Sequence, residues 1–318
     1  MVNVVIKWIV IDVFFGIMLR LIWRVFRTER GKRRRAARHC ALRLTLLYLV
    51  IMVAAVLGEN LLIFHPLWAS VYWEPPGAAA IEDVWLTMPD GTRIHAWWCP
   101  VDKPRWTVLY CHGAGGNLSM DQRHFERWRT LGASVLIFDY PGYGRSEGWP
   151  TEAGCYASAH AAYDWLTKEK HIAAENLVLH GQSLGSAVAL ELAVTRPHRA
   201  LVLQSAFTSV PDVAQHLFPL FPARLLARSQ FDNFGRLQEY HGPLFISHGD
   251  EDSLVPFEEA ERLFDAVQST HKQFYRVPGG GHNNGSTHGG YFAAADFISS
   301  LPARSPANSY HDPAEVAP

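Results

Sequence analysis

Ser183 sits at the centre of Gly181-Gln182-Ser183-Leu184-Gly185, directly after the apolar run 176–180 and directly before a helix-like run, 186–194. A serine hydroxyl becomes an effective nucleophile only when a neighbouring imidazole takes its proton, and that imidazole needs a carboxylate to fix its tautomer and stabilise the imidazolium. Both partners follow Ser183 in the order acid, then histidine. Asp252 lies in the polar turn His248-Gly249-Asp250-Glu251-Asp252-Ser253-Leu254-Val255-Pro256, after the strand-like run 243–247, with Asp250 as an alternative carboxylate two residues away. His282 lies in Pro278-Gly279-Gly280-Gly281-His282-Asn283-Asn284, after the run 273–277, where glycines leave the backbone free to present one imidazole. The chemistry these residues point to is acyl transfer, which also needs N–H donors for a developing oxyanion. The backbone N–H of Leu184 is one candidate donor, and that of Ala114, in His112-Gly113-Ala114-Gly115-Gly116-Asn117, is the second. His288 competes with His282 as base, but a helix-borne imidazole lacks the reach of a glycine loop. His112 and His248 each precede a glycine at a strand end and are expected to hydrogen-bond locally.

These side chains can meet only if separate elements deliver them to one edge. Strand-like and helix-like runs alternate from the linker Trp73-Glu74-Pro75-Pro76-Gly77 onward, which predicts an α/β fold with a mostly parallel sheet covered by helices. Residues 81–87 and 92–98 flank Pro89-Asp90-Gly91 and read as a hairpin. Further strands are expected at 105–110, 135–138 and 200–203, and a helix at 156–166. The stretch 207–240, rich in Pro, Leu and Phe, interrupts the rhythm and is the place for a small cap; Leu217, Phe218, Leu220, Phe221 and Leu225 would there either pack or line an acyl groove. Trp97, Trp98 and Trp106 are assigned to packing, and Arg145 and Glu147 to their own turn.

The motifs together resemble the α/β-hydrolase superfamily across about residues 81 to 301. They are the glycine loop after His112, Asp139-Tyr140-Pro141-Gly142-Tyr143-Gly144-Arg145-Ser146-Glu147-Gly148, the turn at Ser183, and the acid and histidine loops. The sequence looks closest to the branch of membrane-anchored serine hydrolases with a short cap and an N-terminal transmembrane segment. That resemblance places the acid in a His-Gly-x-x-Asp-x-x-Val-Pro context, which favours Asp252 over Asp250. It implies the α/β-hydrolase fold, no metal or organic cofactor, and cleavage of an ester or thioester of a small-molecule or lipid acyl substrate. Serine peptidase activity of the aminopeptidase-like type is the alternative within the same branch, and a non-catalytic membrane-tethered binding domain is the alternative outside it. Ala114-Gly115 departs from the Asn-Ala that many relatives carry in the oxyanion loop.

Charge is balanced overall, with 29 Lys+Arg against 30 Asp+Glu, which argues against a nucleic-acid partner. Its distribution is not balanced. Arg20, Arg24, Arg27, Arg30, Lys32, Arg33, Arg34, Arg35 and Arg38 all precede an uncharged apolar run from Leu44 to Gly58. Basic residues concentrate on the cytoplasmic side of a span, so this pattern predicts a signal anchor with the catalytic domain on the non-cytoplasmic side. Val4 to Phe26 is a second apolar segment, interrupted by charges and suited to a basic amphipathic helix or a second span. The expected organisation is a membrane-associated segment over 1–40, a transmembrane anchor over 41–64, a hydrolase domain over 65–301 with its cap at about 207–240, and a disordered Pro/Ala/Ser-rich tail over 302–318. Cys40, Cys99, Cys111 and Cys155 are too scattered for a disulfide framework or a zinc site, although Cys99 and Cys111 could pair if they lay on neighbouring strands.

Overall fold

The computed structural model describes residues 16–77, 81–283 and 288–302. Most of the early apolar segment, the tail beyond 302, Asn284 and the side chain of His288 lie outside the described residues. The chain divides into two compact units, one of residues 1–63 with 214–228 and the other of residues 64–213 with 229–318.

In the first unit, α1 (Arg33–Leu57) runs for 25 residues, about 37 Å at 1.5 Å per residue. It starts well before the apolar run because Arg and Ala are strong helix formers. It ends at Gly58, whose N–H donates to the Ala54 carbonyl at 2.8 Å, and a short helix α2 (Glu59–Ile63) follows. From residue 41 to 57 no side chain is buried, and the helix is long and apolar enough to cross a membrane. Residues 214–228 join this unit. The Tyr48 hydroxyl donates to the Leu220 carbonyl at 2.6 Å, and Glu59 receives the Arg228 backbone N–H at 3.0 Å and its Nε–H at 2.9 Å.

Among the described residues, the main sheet of the second unit has eight strands: β1 (Glu82–Thr87), β2 (Arg93–Cys99), β3 (Trp106–Cys111), β4 (Ala133–Phe138), β5 (Leu177–Gln182), β6 (Ala200–Gln204), β7 (Leu244–Gly249) and β8 (Lys272–Val277). Their order in the sheet is β8-β7-β6-β5-β3-β4-β2-β1. β1 and β2 form the antiparallel hairpin, β2 pairs antiparallel with β4, and the remaining pairs are parallel. β3 through β7 are buried along their whole length, as strands covered by helices on both faces must be. The covering helices include α3 (Gln122–Thr130), α4 (Glu152–Asp164), α5 (Leu184–Thr195), α9 (Phe257–Ala266) and α10 (His288–Ser300), with α6 (Val210–Leu217), α7 (Ala223–Leu226) and α8 (Asn233–Glu239) falling between β6 and β7. α4 begins four residues before the expected start, because the Thr151 hydroxyl accepts from the Gly154 N–H at 3.0 Å and caps it.

Cys99 and Cys111 are both free, and β4 lies between their strands. Two strand spacings come to about 9.5 Å, beyond the roughly 7 Å between Cα atoms that a disulfide tolerates. The neighbouring-strand condition for their pairing therefore fails. Trp97, Trp98 and Trp106 are buried as expected. Arg145 and Glu147 do more than hold their own turn: Glu147 accepts from the Arg93 N–H at 3.1 Å, and Arg145 lies over Trp73 and 3.7 Å from Asp83, so both fasten the turn to the hairpin.

Candidate active site

A switch in the direction of strand order at β3 creates the site. From this strand the sheet extends to β4 on one side and to β5 on the other, and loops at the carboxyl ends of such strands flank a crevice. The loop after β3 carries Ala114, and the turn after β5 carries Ser183. Cys111 and Gly181 are register partners, so the two segments leave the sheet side by side. A Cβ built on Gly113 would stand 3.7 Å from the Ser183 Cβ.

Ser183 has φ 51° and ψ −120°, a conformation that side chains other than glycine avoid. It is enforced by the tightness of the strand-to-helix turn. A Cβ on Gly181 would come within 2.1 Å of the Gly185 carbonyl oxygen, and one on Gly185 within 2.0 Å of the Cys111 carbonyl oxygen. The glycine spacing is thus a steric requirement of α5 closing onto β3 and β5. The Ser183 N–H donates to the Gln204 carbonyl at 2.9 Å, which ties the turn to the end of β6.

Asp252 and His282 reach the same edge from the loops after β7 and β8. His282 Nε2 lies 2.9 Å from Ser183 Oγ, and His282 Nδ1 lies 2.7 Å from Asp252 Oδ2. The other carboxylate oxygen of Asp252 accepts the Leu254 and Val255 N–H groups, each at 2.9 Å. Burial by itself pushes the Asp252 carboxyl up, but hydrogen bonds from His248 and His282 outweigh it and hold the group well below the usual carboxylate range. The Ser205 hydroxyl donates to the His282 carbonyl at 3.3 Å and so supports the histidine loop. Among the described residues, neither the Ala114 nor the Leu184 N–H has a hydrogen-bond acceptor, while the Ala114 carbonyl is held by the His65 N–H at 2.9 Å and the Tyr143 hydroxyl at 2.7 Å.

Asp250 is excluded from this group by its own bonds. Its carboxylate accepts from Arg276 Nε at 2.9 Å and the Gly279 N–H at 2.6 Å, and the Arg276 hydrogen bond draws its pKa down. His112 is fully buried with Nδ1 2.7 Å from the Gly113 carbonyl, and burial pushes its pKa down to about 4, so it is a neutral packing residue beside Tyr140. His248 bonds locally through Nε2, 2.9 Å from the Val255 carbonyl, but the same nitrogen also stands 3.3 Å from Asp252 Oδ2. Sequence reasoning misses that second contact. The signal for it is the spacing of four residues between His248, at the end of β7, and Asp252, across the turn. Among the described residues no group of His, Cys, Asp and Glu could hold a metal ion. A hydroxyl, an imidazole and a shielded carboxylate in this order can generate an alkoxide-like nucleophile at neutral pH.

Comparison with known proteins agrees with this architecture. A family model described as the alpha/beta hydrolase fold matches residues 107–227. An uncharacterized protein of Mycobacterium tuberculosis is 34% identical over 249 residues, covering 74% of this chain and 88% of its own. The protein bem46 of Schizosaccharomyces pombe is 31% identical over 221 residues, covering 66% and 72%. Among solved structures, a Pyrococcus furiosus esterase superposes with a TM-score of 0.64 at 18% identity, over 74% of this chain and 97% of that one, a likeness of fold. With its sheet order, the strained serine turn and relatives matched over most of their length, the chain belongs to the α/β-hydrolase superfamily.

Proposed function

We propose that the protein is a membrane-anchored serine hydrolase that cleaves carboxylic ester or thioester bonds of lipid or acylated substrates. The observation that carries this reading is the continuous hydrogen-bonded chain from Ser183 through His282 to Asp252, with the serine held at positive φ. His282 Nε2 takes the proton of the Ser183 hydroxyl as Oγ attacks the acyl carbon, and Asp252 stabilises the imidazolium without accepting the proton. The Leu184 and Ala114 N–H groups bind the oxyanion. Collapse breaks the bond to the leaving alcohol or thiol, which departs with the proton from His282 and leaves an acyl group on Ser183. Water, deprotonated by His282, then attacks that acyl group and releases the carboxylic acid and the free serine. A non-catalytic binding domain would have no use for a nucleophile held under backbone strain of about 1–3 kcal/mol.

α1 supplies the anchor, with the arginines ahead of its apolar stretch on the cytoplasmic side and the hydrolase unit on the other. Tethering raises the effective concentration of a lipid-borne substrate around the site. The test is labelling of the full-length protein with a fluorophosphonate probe. Wild type labels, and Ser183→Ala abolishes labelling while leaving the melting temperature in place. Folded wild type that neither labels nor hydrolyses any member of a p-nitrophenyl ester series from acetate to palmitate rules the proposal out.

A further inference from the structure

We infer that residues 214–228 form a membrane-inserted loop, held against α1 and buried in acyl chains to about the middle of the bilayer. This rests on the reading of α1 as a membrane anchor.

Two contacts fix the depth. At the Glu59 end of the helix, the carboxylate receives the backbone and side-chain donors of Arg228. The Tyr48 hydroxyl, eleven residues earlier, donates to the Leu220 carbonyl. Eleven residues of helix span about 16 Å. Because helical side chains lean toward the N-terminus, the Tyr48 hydroxyl lies no nearer to Glu59 than its own backbone does. A bilayer hydrocarbon core is about 30 Å thick, so with Glu59 and Asn60 at its boundary Leu220 reaches roughly its centre.

The loop is built for such surroundings. Leu220 is 77% exposed and Leu225 85% exposed, beside a helix whose Val50 is 64% and Leu57 75% exposed. In water this would be a wasteful display of apolar surface on both elements at once. Several backbone groups of the loop are also paired within the unit, which lowers the cost of placing them in hydrocarbon. Pro219 and Pro222 have no N–H to satisfy. The Phe221, Ala223, Leu225 and Ala227 N–H groups donate to carbonyls inside the loop at 2.8 to 3.1 Å. The Pro219 carbonyl accepts from the Gln215 amide at 3.0 Å, and the Leu220 carbonyl accepts from Tyr48.

The experiment places an NBD fluorophore at Leu220→Cys, Leu225→Cys or Val50→Cys of the full-length protein in phosphatidylcholine vesicles, the four natural cysteines being buried. Quenching is read with doxyl groups on the lipid acyl chain or headgroup and with iodide in the buffer. For Leu220, mid-chain doxyl quenches at least about twofold more than headgroup doxyl, given the hydrocarbon half-thickness of about 15 Å, and Leu225 reports a shallower position. Iodide quenching at both loop positions, with lipid quenching retained at Val50, overturns the loop and leaves the anchor standing. Iodide quenching at Val50 as well overturns the anchor and the loop with it.

Discussion

Replacing Asp252 with asparagine isolates the orientation of the imidazole from the other work of the turn. The amide can take two orientations. Keeping its oxygen where Oδ1 now accepts the Leu254 and Val255 N–H groups puts its NH2 against His282 Nδ1, which must then accept, so the ring proton moves to Nε2 and faces Ser183. Turning the amide over restores an acceptor to His282 but sets donors against two backbone N–H groups, at about 1–3 kcal/mol for each buried donor left unsatisfied. The first orientation therefore wins, with the imidazole in the tautomer that cannot take the serine proton. Loss of the correct tautomer lowers kcat by about 10⁴, or about 5 kcal/mol of transition-state stabilisation, with little change in KM. The carboxylate also contributes stability. Its folded pKa is depressed, so that contribution is fully present above the unfolded value of 3.8 and lost only as pH falls through the lower folded value. The Asp252→Asn variant should thus melt somewhat lower at pH 7 but remain folded. The assay is p-nitrophenyl butyrate hydrolysis by the full-length protein in detergent, beside Asp250→Asn, which keeps an acceptor for the Gly279 N–H and should lose less than about fivefold as a partly exposed ion pair. A folded Asp252→Asn variant with more than a tenth of wild-type kcat, or an equal loss from Asp250→Asn, refutes the reasoning.

Gly185→Ala forces a Cβ to 2.0 Å from the Cys111 carbonyl oxygen, so the variant should lose at least about 3 kcal/mol of stability or fail to accumulate in folded form; an unchanged denaturant midpoint would show that α5 does not approach β3 so closely. Asp139 is fully buried and burial pushes its pKa up to about 8, so below that pH the folded state keeps a proton that the unfolded state releases, and stability falls as pH rises through this window. Asp139→Asn keeps an acceptor for the Leu118 N–H, now 2.7 Å away, and should lessen the fall in melting temperature between pH 7 and 8, where unfolded histidines have largely lost their protons, with part of the fall remaining from Asp121, which burial raises to about 7. All four cysteines are buried and free, and burial pushes the Cys99 thiol up to about 12, so a thiol reagent should label none in the folded protein and all four after unfolding. Reaction of fewer than four after unfolding without reductant would reveal a bridge.

The site was legible because each of its parts is demanded by a local steric or chemical need that leaves a mark in the sequence. Gly181 and Gly185 are fixed by carbonyl oxygens that leave no room for a methyl group, and that requirement is written in the chain as G-x-S-x-G. The acid and the histidine each follow an apolar run, and apolar runs in an alternating pattern become parallel strands whose ends share one edge. What stayed hidden depends on relations between segments with no common local signal. The order of β3, β4 and β2 decides that Cys99 and Cys111 are two strands apart, and nothing in either strand encodes its neighbour. The contact of His248 with Asp252 depends on how the turn after β7 folds back on the strand end. The stretch 214–228 shows the limit most clearly. Its leucines and phenylalanines read as packing before groove lining, because composition records only that a segment avoids water. Leu220 and Leu225 instead point outward beside an equally exposed helix, and Tyr48, 172 residues away in sequence, holds the loop at its turn. That hydrogen bond joins two segments whose local patterns carry no sign of each other, so the placement of the loop against the helix could not be read from either.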